Sequence, residues 1–238
     1  MKPFAPTVNT AKDRTQGPFV KLTRDGDSSI IPVVSLYAQG EAVEEKIHGA
    51  GKSSFDLVDA GKLFEELHLE PGSVFADLGC GRGEYALQAA LRVGEQGTVY
   101  AIDLWEEGLV VLGTEAEFLG LHQLKVVATD ICTRLPIEDQ SVDVCFMATV
   151  LHDFVREGCS DGVLDEARRI VRQKGTLAIV EFKKFDGHPG PPIQVKLSPD
   201  EAERIVTPHG FTMRRFVDLG QYTYLILFPP LGGPTPGS

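Results

Sequence analysis

Between residues 73 and 94 the chain reads SVFADLGCGRGEYALQAALRVG: an apolar run, a loop with three glycines in five positions, and a helix-length segment stopped by glycine. Such a unit commits its surroundings to a parallel sheet, because the helix returns the chain to the same end of the sheet for another strand in the same direction. The pattern then repeats. TVYAIDL (98–104), LKVVATD (124–130), VDVCFMAT (142–149) and TLAIVEF (176–182) read as further strands. WEEGLVVLGTEAEFLGL (105–121) carries a helical period weakened by Gly108 and Gly113, and DGVLDEARRIVRQ (161–173) predicts an amphipathic helix closed by Gly175. SPDEAERIVTPHG (198–210) opens a helix with Ser198 as N-cap and Pro199 at the first helical position. FTMRRFVDLG and QYTYLILFPP then follow with little between them, which predicts an antiparallel pair. The expected class is α/β, a doubly wound, seven-stranded, mainly parallel sheet that ends in two antiparallel strands.

Residues 1–35 show no apolar periodicity and read as a mobile arm. Residues 36–70 form a separate segment, helical over 41–69 around a glycine-rich break at 49–51 and ended by Pro71-Gly72. Residues 71–230 make the main domain, and 231–238 have the composition of a disordered tail. A formal net charge of −11 argues against nucleic acid as a partner, since such binders present a basic face to displace counterions. No apolar stretch is long enough to span a bilayer, and the N-terminal residues lack the apolar run of a secretory signal, so a cytoplasmic protein is expected. Cys80, Cys132, Cys145 and Cys159 form no C-x-x-C pair; reduced thiols are expected, and no metal site.

Gly79, Gly81 and Gly83 fall where an open α/β sheet binds its ligand, outside the carboxyl end of a strand and before a helix N-terminus. Missing side chains would let a ligand reach the backbone; a tight strand-to-helix turn is the plainer alternative. A dinucleotide fits poorly, because its fingerprint requires glycine at position 84, where Glu84 would repel a pyrophosphate. Asp103 ends the second strand, where a carboxylate can accept both hydroxyls of a ribose, and Asp130 ends the third, placed to accept from an adenine amino group. Either acid alone could instead cap the following helix.

At these residues the chain resembles the class I S-adenosylmethionine-dependent methyltransferases, over roughly residues 55–228. DLGCGRG is similar to the glycine motif of that family, AIDL to its acidic second-strand end, ATD to its adenine-side acid, and FMATVLHDF to the segment after its fourth strand. VLHDF points to a small-molecule branch related to quinone-biosynthesis methyltransferases. The resemblance implies a Rossmann-like fold, S-adenosylmethionine as cofactor and methyl transfer to a small-molecule acceptor. A protein that binds the cofactor without catalysis, as sensor or assembly partner, is the alternative. The resemblance further implies that Asp77 orients the loop, while Gly79, Cys80, Gly81 and Gly83 receive the methionine end. Asp103 would hold the ribose, Leu104 or Trp105 would lie against the adenine, Asp130 and Ile131 would fix its edge, and Ala148 would pass beneath the sulfonium. The segment 37–58 becomes a lid in this reading, with Tyr37 and Phe55 as aromatic walls or as ordinary packing.

Methyl transfer is an in-line displacement that mainly requires alignment and exclusion of water. His152, beside Asp153, is the candidate general base; a structural or capping histidine is the preferred reading. Glu181 either faces the pocket or pairs with Lys183 or Lys184. A methylator of thiol-bound metal would need several cysteines around one pocket, whereas Cys145 is expected mid-strand.

Overall fold

The computed structural model describes residues 53–232, together with the backbone of residues 19–24 and 27–32. Those two stretches belong to a separate unit, residues 1–46, and pair as antiparallel strands β1 (Phe19–Arg24) and β2 (Asp27–Pro32), with Phe19 opposite Pro32 and Arg24 opposite Asp27. No strand was expected there. The overlooked sequence signal is Asp25-Gly26 between two β-prone runs. Tyr37, most of the expected lid and the tail from residue 233 lie outside the described residues.

In the second unit a short 3-10 turn, Phe55–Leu57, precedes α1 (Ala60–Leu67). The helix predicted over 41–69 is therefore interrupted within its described part: Val58 is extended, and α1 starts only where the Asp59 carboxylate accepts from the Lys62 amide. Then come β3 (Val74–Leu78), α2 (Glu84–Val93), β4 (Thr98–Asp103), α3 (Glu106–Phe118), β5 (Leu124–Ala128), β6 (Val142–Ala148), α4 (Leu151–Glu157), α5 (Ser160–Ile170), β7 (Val171–Phe182), α6 (Pro199–Val206), β8 (Arg215–Asp218) and β9 (Thr223–Phe228). The seven strands of the sheet lie in the order β5-β4-β3-β6-β7-β9-β8. The first five are parallel, and β9 runs antiparallel to both β7 and β8.

The two-residue period of the strands divides the interior into two layers. Phe75, Val144, Phe146, Ala178 and Val180 join the core built with α1, α2 and α3. Their neighbours Ala76, Leu78, Cys145, Met147, Leu177 and Ile179 join the core built with α4, α5 and α6. Helix α6 begins as expected: Ser198 accepts from the Glu201 amide, and the Glu201 carboxylate accepts in return from the Ser198 amide.

One expected boundary moves. The helix predicted to run to residue 173 ends at Ile170, and Val171 already pairs with Val142 as the first residue of β7. Gly175 lies within that strand instead of closing a helix. A Cβ there would stand 2.7 Å from the Asp143 carbonyl and 2.9 Å from that of Val142, so glycine is what lets β7 approach β6 across the irregular register.

Candidate active site

Strand β3 is central, and the chain leaves it toward β4 on one side and β6 on the other, which opens a crevice at its carboxyl end. Residues 79–83 fill the turn there. Gly79, Gly81 and Gly83 have φ of 76°, 53° and 80°, in the left-handed region that favours glycine. Two of them are also required by packing. A Cβ on Gly79 would sit 2.9 Å from Val150, and one on Gly83 would collide with Leu112. Their amides are spent internally: those of Gly79 and Cys80 donate to the Ile102 carbonyl (2.9 and 3.0 Å), and that of Gly83 to Cys80 (2.8 Å). The Gly81 amide donates to Asp103 Oδ2 (2.8 Å), while Asp103 Oδ1 accepts from the Trp105 amide (2.9 Å). The amides of Gly79, Cys80, Gly81 and Gly83 are thus engaged within the turn itself. What the loop presents is shape and negative charge.

Asp77 is the most deeply buried of the acids beside the loop. It is 1% exposed, and no donor reaches hydrogen-bonding geometry at either carboxylate oxygen among the described residues. Burial, then the charges of Asp103 and Glu84, hold its carboxyl well above the usual carboxylate range; the nearby Ala86 amide opposes this weakly. Glu84 is half-buried and is likewise raised, by burial first, against a hydrogen bond from Ser53. The Cys80 thiol is buried, and burial and the same acids push it up, which makes it an unreactive thiol.

The other expected residues stand as follows. Leu104 is exposed, and the Trp105 ring folds over Gly108, whose missing side chain gives it room, which accounts for a glycine in the first turn of α3. Asp130 is exposed, and its Oδ1 accepts from the Cys132 amide (2.9 Å) in a local turn. Ile131 is buried in the second core, and Ala148 ends β6 opposite Val180. Phe55 meets the Tyr85 ring edge-on, with centroids 5.0 Å apart. The cysteine expectation needs correcting, since Cys132 and Cys159 are joined in a disulfide that ties the loop after β5 to the start of α5; Cys80 and Cys145 are free.

His152 lies in the first turn of α4, 4% exposed, and Glu181 near the end of β7 is fully buried. The Glu181 carboxylate receives His152 Nδ1 (3.0 and 2.9 Å), the His152 amide (3.1 Å) and the Phe182 amide (3.1 Å). Burial disfavours the imidazolium, yet the hydrogen bond and charge of Glu181, with Asp153 adding, raise the histidine pKa. Lysine partners for Glu181 are excluded by geometry: Lys183 pairs with Asp218 (2.8 Å) and Lys184 with Glu201 (2.7 Å).

Sequence reasoning passed over Ser54, Tyr85 and Thr149, whose hydroxyls meet beside the glycine loop. Nothing in local periodicity marks them. A separate groove of about 580 Å³ along α3 and β5, lined by Leu109, Val110, Leu121 and Val126 among others, includes none of the residues above.

A family model described as a methyltransferase domain matches residues 69–206, more than half of the chain. Among solved structures, a SAM-dependent methyltransferase from Aquifex aeolicus is 31% identical with a TM-score of 0.67, covering 74% of this chain and 92% of that one. Among curated proteins, a demethylmenaquinone methyltransferase of Bacillus mycoides is 30% identical over 118 residues, 48% of this chain and 47% of the relative. A probable cobalt-precorrin-6B C(15)-methyltransferase (decarboxylating) of Pyrobaculum calidifontis is 37% identical over 79 residues, 32% of this chain and 40% of the relative. The chain thus spans half or less of the length of these two curated relatives.

Proposed function

Because the chain belongs to the S-adenosylmethionine-dependent methyltransferase family, we propose that it binds that cofactor at the loop after β3 and transfers its methyl group to a small organic acceptor. The carrying observation is the buried Asp77 carboxylate, which no donor among the described residues reaches in hydrogen-bonding geometry, beside Glu84 and Asp103. Three acids around a turn whose amides are already engaged repel a phosphate. They suit a ligand that brings an ammonium and a sulfonium.

In this reading Asp77 and Glu84 face the ammonium, and Gly79, Cys80, Gly81 and Gly83 cradle the methionine end. Asp103 keeps lone pairs for the ribose hydroxyls beyond the two amides that orient it. Leu104 and Trp105 flank the adenine, Asp130 and Ile131 its edge, and the Ala148 backbone lies beneath the sulfur. Phe55 stands beside the site, against the Tyr85 ring. When bound, the cofactor supplies an electrophilic methyl carbon, which leaves the protein to align the acceptor and exclude water. His152 serves mainly to fasten α4 to β7 through Glu181, because its Nδ1 and its amide are both committed there.

The similarity to demethylmenaquinone methyltransferase supports a small organic acceptor. No described helix is long and apolar enough to cross a membrane. We place the protein in the cytoplasm, with the Cys132–Cys159 bridge as the observation that pulls the other way.

Calorimetric titration with S-adenosylmethionine, followed by a methyl-release assay on a metabolite pool, tests the proposal. Asp103→Ala should weaken binding by ~1–3 kcal/mol through loss of a charged acceptor. An unchanged affinity would remove Asp103 from the site, and binding without methyl release would make the chain a binding protein.

A further inference from the structure

Ser54 is a polar residue where packing alone would accept alanine. It is 4% exposed, and its Oγ lies 2.9 Å from the Tyr85 hydroxyl and receives the Thr149 hydroxyl at 3.1 Å. A buried hydroxyl is retained at little cost only when it is bonded in this way. Its partners come from the two elements that frame the crevice: Tyr85 follows Gly83 in the first turn of α2, and Thr149 follows Ala148 at the end of β6. Phe55 also stands against the Tyr85 ring, so two neighbouring residues of the stretch 53–55 touch the start of α2.

Thr149 adds an independent sign. Its φ is 54°, an outlier for a β-branched residue that persists only where surroundings impose it. Here the Thr149 amide donates to Val180 (2.7 Å) and its hydroxyl to Ser54 (3.1 Å). The backbone so directed delivers Val150 onto Gly79, at the distance where a Cβ would meet it at 2.9 Å.

We propose that Ser54 is a positioning residue for the methionine end of S-adenosylmethionine, acting through Tyr85 and Thr149 to hold the glycine loop, the end of β6 and the stretch 53–55 in one arrangement around Asp77. This rests on the loop being the cofactor site. The specificity for one end of the ligand follows from sheet order. Asp103 ends β4 and Asp130 follows β5 on one side of β3, whereas the hydroxyl trio joins α2, the helix after β3, to the end of β6 on the other. The nucleoside half and the amino-acid half of the ligand thus depend on different residues.

Calorimetry with S-adenosylmethionine, S-adenosylhomocysteine and 5′-methylthioadenosine, which lacks the amino acid, separates the two halves. Ser54→Ala should weaken the first two ligands about tenfold, the scale of one hydrogen bond, while methylthioadenosine stays within about twofold. Ser54→Thr, which keeps the hydroxyl, should restore affinity, whereas Asp103→Ala should weaken all three ligands. Tyr85→Phe should reproduce the selective loss, with the double variant no worse than either single one, because the groups act as a unit. It also supplies the measurement if Ser54→Ala does not fold. Equal losses on all three ligands, or none, would overturn the role of Ser54 while leaving the cofactor site in place. A wild-type protein that binds none of the three would overturn both.

Discussion

Asp77 and Glu181 are both buried carboxylates near the carboxyl ends of parallel strands, Asp77 on β3 and Glu181 on β7, and they face opposite layers of the core. Glu181 is saturated, with an imidazole and two amides donating to it. Among the described residues no donor reaches hydrogen-bonding geometry at Asp77, and two like charges are its neighbours. Buried polar groups are nearly always paired, so the unpaired one marks where the fold is incomplete by itself. A saturated carboxylate locks two elements together; an unsaturated one is a standing cost until a donor or a cation meets it.

The largest test of this contrast is Glu181→Ala, which strands a buried imidazole and two amides and should cost ~3–5 kcal/mol in chemical denaturation. A loss below about 1 kcal/mol would mean that Glu181 is not the lock described. Next is the disulfide, which ties the Asp130 loop to the helix pair that carries His152. Reducing it, or Cys132→Ser with Cys159→Ser, should cost ~3 kcal/mol through the freedom regained by the unfolded chain. Cofactor affinity should hold if the two strand ends are independent, and a parallel loss of affinity would show that they are not.

Asp77→Asn should act in the opposite direction on stability. Removing an unpaired buried charge should raise ligand-free stability by ~1–2 kcal/mol while lowering cofactor affinity by about tenfold or more. Calorimetry and urea titration on the same preparation check both, and a destabilised Asp77→Asn would break the comparison.

The smallest effects are in pH dependence. The folded His152 pKa is raised, so its stabilisation is complete below the ordinary imidazole value of about 6.5 and is lost as pH rises through the folded value. Asp77 is also raised, so its penalty grows as pH climbs above the ordinary aspartate value of about 3.9 toward its own folded value. Both make the protein less stable at higher pH, the Asp77 decline setting in above about 3.9 and the His152 decline above about 6.5. Urea titrations should show the decline that begins at acid pH flattened in Asp77→Asn and part of the decline above about 6.5 removed in His152→Gln. An acid-side decline unchanged in Asp77→Asn, or a decline above about 6.5 unchanged in His152→Gln, would make the assignment wrong.

Much of this site was legible before folding. Strand-end acids and a glycine turn are local features, whereas the bond from the Gly81 amide to Asp103, 22 residues away, is tertiary. The errors are equally physical. Helical periodicity carried α5 three residues too far, because Val171, Arg172 and Gln173 continue its pattern while the ladder to β6 claims them. Lys183 and Lys184 looked like partners for Glu181 because they are adjacent in sequence, yet alternation along β7 sends Glu181 inward, to His152.

The sequence by itself determined the alternation of strands and helices, the turn after β3 and the order of acids along the strand ends, because each follows from periodicity and from residue types within a few positions. Only the tertiary structure decided that Glu181 would be satisfied by a histidine 29 residues earlier, that Ser54 would be clasped between Tyr85 and Thr149, and that no donor among the described residues would reach hydrogen-bonding geometry at Asp77. Those outcomes depend on which side chains meet when two layers close over a sheet, and no local pattern encodes that meeting.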